Sequence, residues 1–241
     1  CFEIERRLRE SLDIPVFHDD QHGTAIVVLA ALTNALRVVG KELTGVRVVV
    51  SGGGAAGTAI VTLLLTAGAS DVVVVDRFGA LAVGDESLSA AHRDLAAATN
   101  PRGVRGDLRS VLAGADVFIG VSAPGVLQAE WIQEMAPDPV VFALANPDPE
   151  VDPAEADRYA AVVASGRSDY PNQINNVLAF PGVFRGLLDA RASEVTTDML
   201  LRAAQAIALV VKDDELNPNF IIPTVFHPDV SHAVAAAIRG H

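Results

Sequence analysis

The run Phe17-His18-Asp19-Asp20-Gln21-His22-Gly23-Thr24 sets two adjacent carboxylates where an extended segment meets an apolar stretch with the character of a helix. Carboxylate oxygens suit a hard cation such as Mg²⁺ or Mn²⁺, which makes Asp19 and Asp20 candidate metal ligands. Aspartate is equally favoured as a helix cap, and neighbouring side chains point in different directions, so one of the two is expected to ligate. His18 and His22 stand four residues apart, but a shared zinc ion needs one continuous helix. Gly23 places the helix start later, so these histidines read as surface or supporting residues.

A second device is Ser51-Gly52-Gly53-Gly54-Ala55-Ala56-Gly57, in which Gly52, Gly54 and Gly57 fit GxGxxG. The first glycine permits a tight turn out of a strand, the second lets the backbone approach a pyrophosphate, and the third allows close packing of helix on strand. From Ala55 onward, the helix N-terminus supplies free N–H donors and partial positive charge. Alone the motif is weak, and a glycine-rich turn needed only for packing would look the same. Here it follows a strand, opens a helix, and precedes Asp76 at the end of the next strand, where a carboxylate accepts hydrogen bonds from an adenine-ribose diol. Asp76 favours NAD because its charge repels a 2′-phosphate. Arg77 keeps NADP open, since a guanidinium pairs with that phosphate, and is otherwise a solvated surface charge.

Asn146, in Ala145-Asn146-Pro147, follows an apolar strand, and Asn175-Asn176 lie in a polar loop before Phe180-Pro181-Gly182. Amides in such places hold a carboxylate or a carboxamide without adding charge, so Asn146 is a candidate at both the cofactor and the substrate. Asn175 and Asn176 are candidates at the substrate. Turn formation explains all three as well.

These groups need elements to hold them. A short charged helix over Ile4 to Leu12 ends at Asp13-Ile14-Pro15, and Val16 to His18 reads as the end of a strand. Thr24 to Val39 is almost wholly apolar and is followed by Gly40, a buried helix with a glycine stop. Val46–Val50 and Val72–Val75 are β-branched runs of the kind buried on both faces of a parallel sheet, with a helix over Ala55–Ala67 between them. Further helices are expected over Ser87–Ala98 and Leu108–Ala113, and strands over Val117–Val121, Val140–Leu144 and Ala161–Ala164. Gly182–Ala190, Thr196–Val211 and Asp229–Arg239 are helical, with a loop at Asn217–Pro223. Strands alternating with helices predict an α/β fold, a doubly wound, mostly parallel, Rossmann-like sheet flanked by helices. Arg77 to Asp116 offers no strong third strand, so that position is expected to be irregular.

The chain has 241 residues, half of them hydrophobic, and can bury a substantial core. No apolar stretch reaches the length of a membrane span, no signal segment opens the chain, and a cytoplasmic location is the default expectation. A net charge of −12 with no basic stripe argues against nucleic acid. A single cysteine excludes an internal disulfide framework. A chain opening on Cys1 is expected to begin inside a longer protein.

Taken together, the stretches CFEIE, VFHDDQHGTA, SGGGAAG, VVDRFGAL, ANPDPE, QINNVLAFPG and IIPTVFHPDVSHAVAAAI resemble the NAD(P)-binding part of malic enzyme, the oxidative decarboxylase of malate, in its compact bacterial form. The resemblance covers nearly the whole chain. It implies that Asp20 is the third metal carboxylate with Asp19 its neighbour, that Gly52, Gly54, Gly57 and Asp76 hold the dinucleotide, and that Asn146, Asn175 and Asn176 meet malate and the nicotinamide end. It places the catalytic Tyr and Lys, and a Glu-Asp pair of metal ligands, before the segment matched here. The two lysines, Lys41 and Lys212, and the two tyrosines, Tyr159 and Tyr170, do not match those positions. Residues 1–22 then form the tail of an N-terminal catalytic region, and 23–241 the NAD(P)-binding domain with its C-terminal helices packed back on it. The chain alone is expected to be inactive, its parent to pair it with that region, and the family habit implies a homo-oligomer. The alternatives are a free-standing module that binds NAD without catalysis, or another oxidoreductase of the amino-acid-dehydrogenase type.

Overall fold

The computed structural model describes residues 2–240. Six strands form one sheet: β1 Arg47–Ser51, β2 Asp71–Asp76, β3 Gly79–Ala80, β4 Val117–Gly120, β5 Val140–Ala143 and β6 Val162–Ser165, in the order β3-β2-β1-β4-β5-β6. All neighbours run parallel except β2 and β3. The expected irregularity falls where it was placed, as a two-residue antiparallel edge strand at the third position.

The strand sequences explain why both faces of the sheet are covered. Val48 and Val50 point to one side with Val72, Val74, Ile119 and Phe142, while Val49 points to the other with Val73, Phe118 and Val141. All of these are essentially inaccessible to solvent. Burial of a side chain such as Phe118 stabilises the fold by about 2–3 kcal/mol. The first face carries α2 Thr24–Val38, α3 Ala55–Thr66 and α8 Thr197–Val210. The second carries α5 Leu108–Leu112, a 3-10 turn at Ala129–Glu134 and α6 Pro153–Ala156. Helix α4 Ala90–Ala98 joins the first face through Leu95 and Ala96, and α1 Phe2–Ser11 is charged, with Arg6 paired to Glu3 and Glu10 inside the helix and Glu5 reaching His22 beyond it.

Helix α2 is apolar on nearly every side because it is buried on nearly every side. Its one polar core residue, Asn34, is fully satisfied: its amide donates to the carbonyls of Ala208 and Ile221 at 2.9 Å each, and its oxygen accepts from Arg37 at 3.1 Å. Gly40 takes φ +66, which ends the helix as expected. Helix α7 Phe180–Ala190 packs on α9 Val230–Arg239 through two glycines. A Cβ on Gly182 would come within 2.6 Å of Val234 Cβ, and one on Gly186 within 2.6 Å of Ile238 Cβ. No helix among the described residues is long and apolar enough to cross a membrane.

Two sequence readings near the front of the chain are corrected. Val16 to His18 is extended but pairs with no strand. Gly23 does not delay the helix: Asp19–Gly23 is one turn of π-helix running directly into α2, with Gly23 at φ −61 and ψ −47. Small shifts of one to three residues separate most other expected ends from the observed ones, as fraying ends allow.

Candidate functional site

The parallel order reverses between β1 and β4, which both leave the sheet at the same edge, and the crevice at such a reversal is where open α/β sheets bind ligands. Ser51 ends β1, and Gly52 follows at φ +113, a conformation that only glycine adopts without strain. Gly57, in the first turn of α3, packs so tightly that a Cβ there would collide with the Gly52 carbonyl oxygen. Gly54 differs from both. Its backbone, φ −79 and ψ −162, is open to any residue, and a Cβ would meet no atom of the protein. Packing within the protein therefore gives no reason for glycine there. Gly54 is also the N-cap of α3 and offers no side-chain cap, so the N–H groups of Ala55 and its neighbours remain available to an anion.

This turn borders a cleft of about 560 Å³ whose far side includes Asp76, Arg77, Arg109 and Trp131. Asp76, one-quarter exposed, closes β2; its Oδ1 accepts the Arg77 backbone N–H at 2.6 Å, and its Oδ2 lies 3.2 Å from His92 Nε2. Arg77 is exposed, its guanidinium 4.6 Å from the centre of the Phe78 ring. Asp107 also borders the cleft, and caps α5 by accepting the Ser110 N–H at 3.0 Å.

A second cavity, of about 380 Å³, adjoins the first. Asp20, Asn146, Asn175 and Asn176 line it, and Val121 and Ser122 line both. Ser122 is therefore the wall between the two spaces. It is fixed by Glu150, which is fully buried: one carboxylate oxygen accepts from the Ser122 N–H at 2.7 Å and hydroxyl at 3.1 Å, and the other from the Ala145 N–H at 3.0 Å. The loops after β4 and β5 thus share one buried carboxyl side chain, and Asn146 follows directly on the clamped residue.

The two aspartates face different surroundings. Asp20 is exposed and lines the cavity. Asp19 is half-buried; its Oδ2 accepts the Asn176 amide at 2.6 Å, while its buried Oδ1 has no partner. Burial first, and the Asp20 charge second, push the Asp19 carboxyl above its usual range. Neither aspartate acts as a cap of the turn that begins at Asp19: its N-cap is His18, with no side-chain capping bond. An unpaired buried oxygen beside an exposed carboxylate fits a hard cation in its donor chemistry. Two carboxylates do not complete a shell, and no group of three His, Cys, Asp or Glu suited to a metal occurs among the described residues.

The histidines part company. His18 Nδ1 meets the Gln21 amide, and His22 Nε2 lies 2.7 Å from Glu5 Oε1, so each is engaged separately. Asn175 accepts the Val177 N–H at 3.0 Å and caps the 3-10 turn Asn176–Leu178, the turn role that its sequence setting allowed. Lys41 bonds Asp116 at 2.8 Å, and neither lysine lines the cavity of Asp20. Sequence reasoning passed over Ser122, Glu150, His92 and Trp131. Glu150 ends the stretch ANPDPE, where no neighbouring residue signals that its side chain is buried.

Residues 21–240 match the family model described as "Malic enzyme, NAD binding domain". The chain is 56% identical to the NAD-dependent malic enzyme of Geobacillus stearothermophilus over 99% of its own length and 50% of that protein's. It is 49% identical to the bifunctional malic/malolactic enzyme of Bacillus subtilis, of which it covers 58%. Among solved structures, the NAD-dependent malic enzyme of Thermotoga maritima superposes with a TM-score of 0.94 at 50% identity, over all of this chain and 63% of that one. The malic enzyme of Entamoeba histolytica gives 0.95 at 41% identity, over all of this chain and 51% of the other. The chain thus spans about half the length of these curated relatives.

Proposed function

Given that this chain belongs to the malic enzyme NAD-binding domain family, we propose that it is the cofactor-binding part of an enzyme that oxidises and decarboxylates malate to pyruvate and CO2. The observation that carries this reading is the pair of adjoining cavities divided by Ser122, one under the glycine turn and one holding Asp20 and Asn176. Cofactor and substrate would meet across that wall.

In this reading the N-terminus of α3, with Ala55 first, holds the pyrophosphate against Gly52, Gly54 and Gly57. Asp76 accepts the ribose hydroxyls, with Arg77 beside it. NAD is favoured over NADP by the Asp76 charge. Asn146 and Asn176 offer amides to the malate carboxylate and to the carboxamide of the nicotinamide, and Asn175 supports them. Asp20 would ligate Mg²⁺ or Mn²⁺, with Asp19 behind it. When bound, the nicotinamide supplies a hydride acceptor and the divalent cation a Lewis acid. The residues of this chain bind and orient; the general base and acid, a Lys and a Tyr by family resemblance, and two further metal carboxylates come from a region that residues 1–22 would join to the domain at 23–241. The chain by itself would be inactive, and the whole would work as a cytoplasmic oligomer.

Assay of the full-length gene product with malate, Mn²⁺ and each dinucleotide tests this. Formation of pyruvate together with NADH or NADPH is expected. Reduction of neither dinucleotide would overturn the assignment.

A further inference from the structure

The Asp76 carboxylate, which the dinucleotide reading gives to the adenine ribose, is already approached on both oxygens. Oδ1 accepts the Arg77 backbone N–H at 2.6 Å, and Oδ2 stands 3.2 Å from His92 Nε2. His92 lies in the first turn of α4, and its backbone N–H donates to the Ser89 hydroxyl at 3.2 Å, so the ring is positioned by a capped helix end. The two side chains meet over the middle of the glycine turn. A Cβ on Gly53 would lie 3.1 Å from His92 Nε2 and 3.3 Å from Asp76 Oδ2. Asp76 lines the cleft, and both side chains stay partly exposed, 25% for His92 and 26% for Asp76.

A free carboxylate at this place discriminates twice. It accepts the ribose hydroxyls of NAD, and it repels the 2′-phosphate of NADP. A donor on Oδ2 weakens both effects, because it occupies an acceptor position and offsets part of the negative charge. The imidazole supplies that donor in its charged form and in one neutral tautomer. The Arg77 guanidinium, exposed and stacked on Phe78, stands one residue away to pair with a phosphate once the carboxylate is screened. As a contribution to stability the pair counts for little, being partly exposed.

We propose that His92 sets the balance between NAD and NADP in this chain: by holding Asp76 Oδ2 it relaxes the exclusion of the 2′-phosphate, so that one site accepts both dinucleotides. The inference rests on the dinucleotide reading of this cleft. His92 is a specificity-determining residue with no part in the chemical step.

Calorimetric titration of the chain with NAD and with NADP tests it, because the two differ only in the 2′-phosphate. The unsubstituted chain is expected to bind both. His92→Ala should weaken NADP at least about tenfold more than NAD, an increment of about 1.4 kcal/mol, and His92→Gln, which keeps an N–H donor, should restore much of the ratio. In an Asp76→Asn background, where no carboxylate charge is left to screen, removing His92 should no longer shift the ratio. An unchanged ratio in His92→Ala, equal weakening of both dinucleotides, or the same shift in the Asp76→Asn background would overturn the proposal. Failure of the unsubstituted chain to bind either dinucleotide would instead sink the cofactor reading itself, and the inference with it.

Discussion

Asn176 donates its amide to Asp19 Oδ2 at 2.6 Å, tying the 3-10 turn before α7 to the π-helical turn before α2. The contact joins segments 157 residues apart in the chain and leaves Asp20, one residue on, free to face the cavity.

That division of labour predicts unequal roles for the two carboxylates. In the full-length enzyme, Asp20→Ala should raise the Mn²⁺ concentration needed for half-maximal activity far more than Asp19→Ala does, by an expected margin of about tenfold, or about 1.4 kcal/mol. Equal effects would contradict the assignment of Asp20 as the ligand.

Glu150 predicts a larger and more structural loss. Glu150→Ala strands the buried Ala145 N–H, at a cost of about 1–3 kcal/mol, and takes from the partly exposed Ser122 N–H its acceptor, while the Ser122 hydroxyl keeps Ser51 as a partner. A fall in Tm of roughly 6 °C or more is expected for a domain of this size, together with weaker dinucleotide binding because Ser122 walls the cleft. A Tm within about 1 °C of the unsubstituted chain would show that the clamp does not hold the loops.

Asp107 predicts a pH dependence. The Ser110 hydroxyl first, and its backbone N–H second, hold the Asp107 carboxyl below the usual range. A folded-state value lower than the unfolded one means that the stabilisation is present above the ordinary carboxylate range of about 3.9 and is lost as pH falls through the lower folded value. Asp107→Ala should therefore melt below the unsubstituted chain at pH 7, and thermal melts taken at successively lower pH should converge. A gap that persists below pH 2 would contradict the capping role.

Much of this arrangement was legible in the sequence where local chemistry decides structure. The valine runs at Val48–Val50 and Val72–Val75 announce strands buried on both faces, since a side chain on either face must be apolar. The structural duties of Gly52 and Gly57, a turn at φ +113 and a close approach to backbone, are legible because they depend on near neighbours. The π-helical turn is not legible: its residues Asp19-Asp20-Gln21-His22-Gly23 are ordinary for a loop, and Asn176, 157 residues further along the chain, bonds it in place. Glu150 was passed over because charged residues are rarely buried, and the three donors that hold it lie on two separate loops. His92 reaches Asp76 only once α4 is docked beside β2, so no spacing along the chain announces the pair.

The central claim, that a dinucleotide lies on the glycine turn, is tested most directly at Gly54. Its backbone suits any residue and a Cβ there has no protein atom beyond its chain neighbours within 4 Å, so Gly54→Val should fold with a Tm lowered by no more than about 2–4 °C, the cost of a poorer N-cap. Calorimetric titration with NAD is expected to show saturable binding to the unsubstituted chain and at least a tenfold loss, about 1.4 kcal/mol, in the folded Gly54→Val variant. Binding undiminished by the valine, or no binding by the unsubstituted chain, would contradict the account.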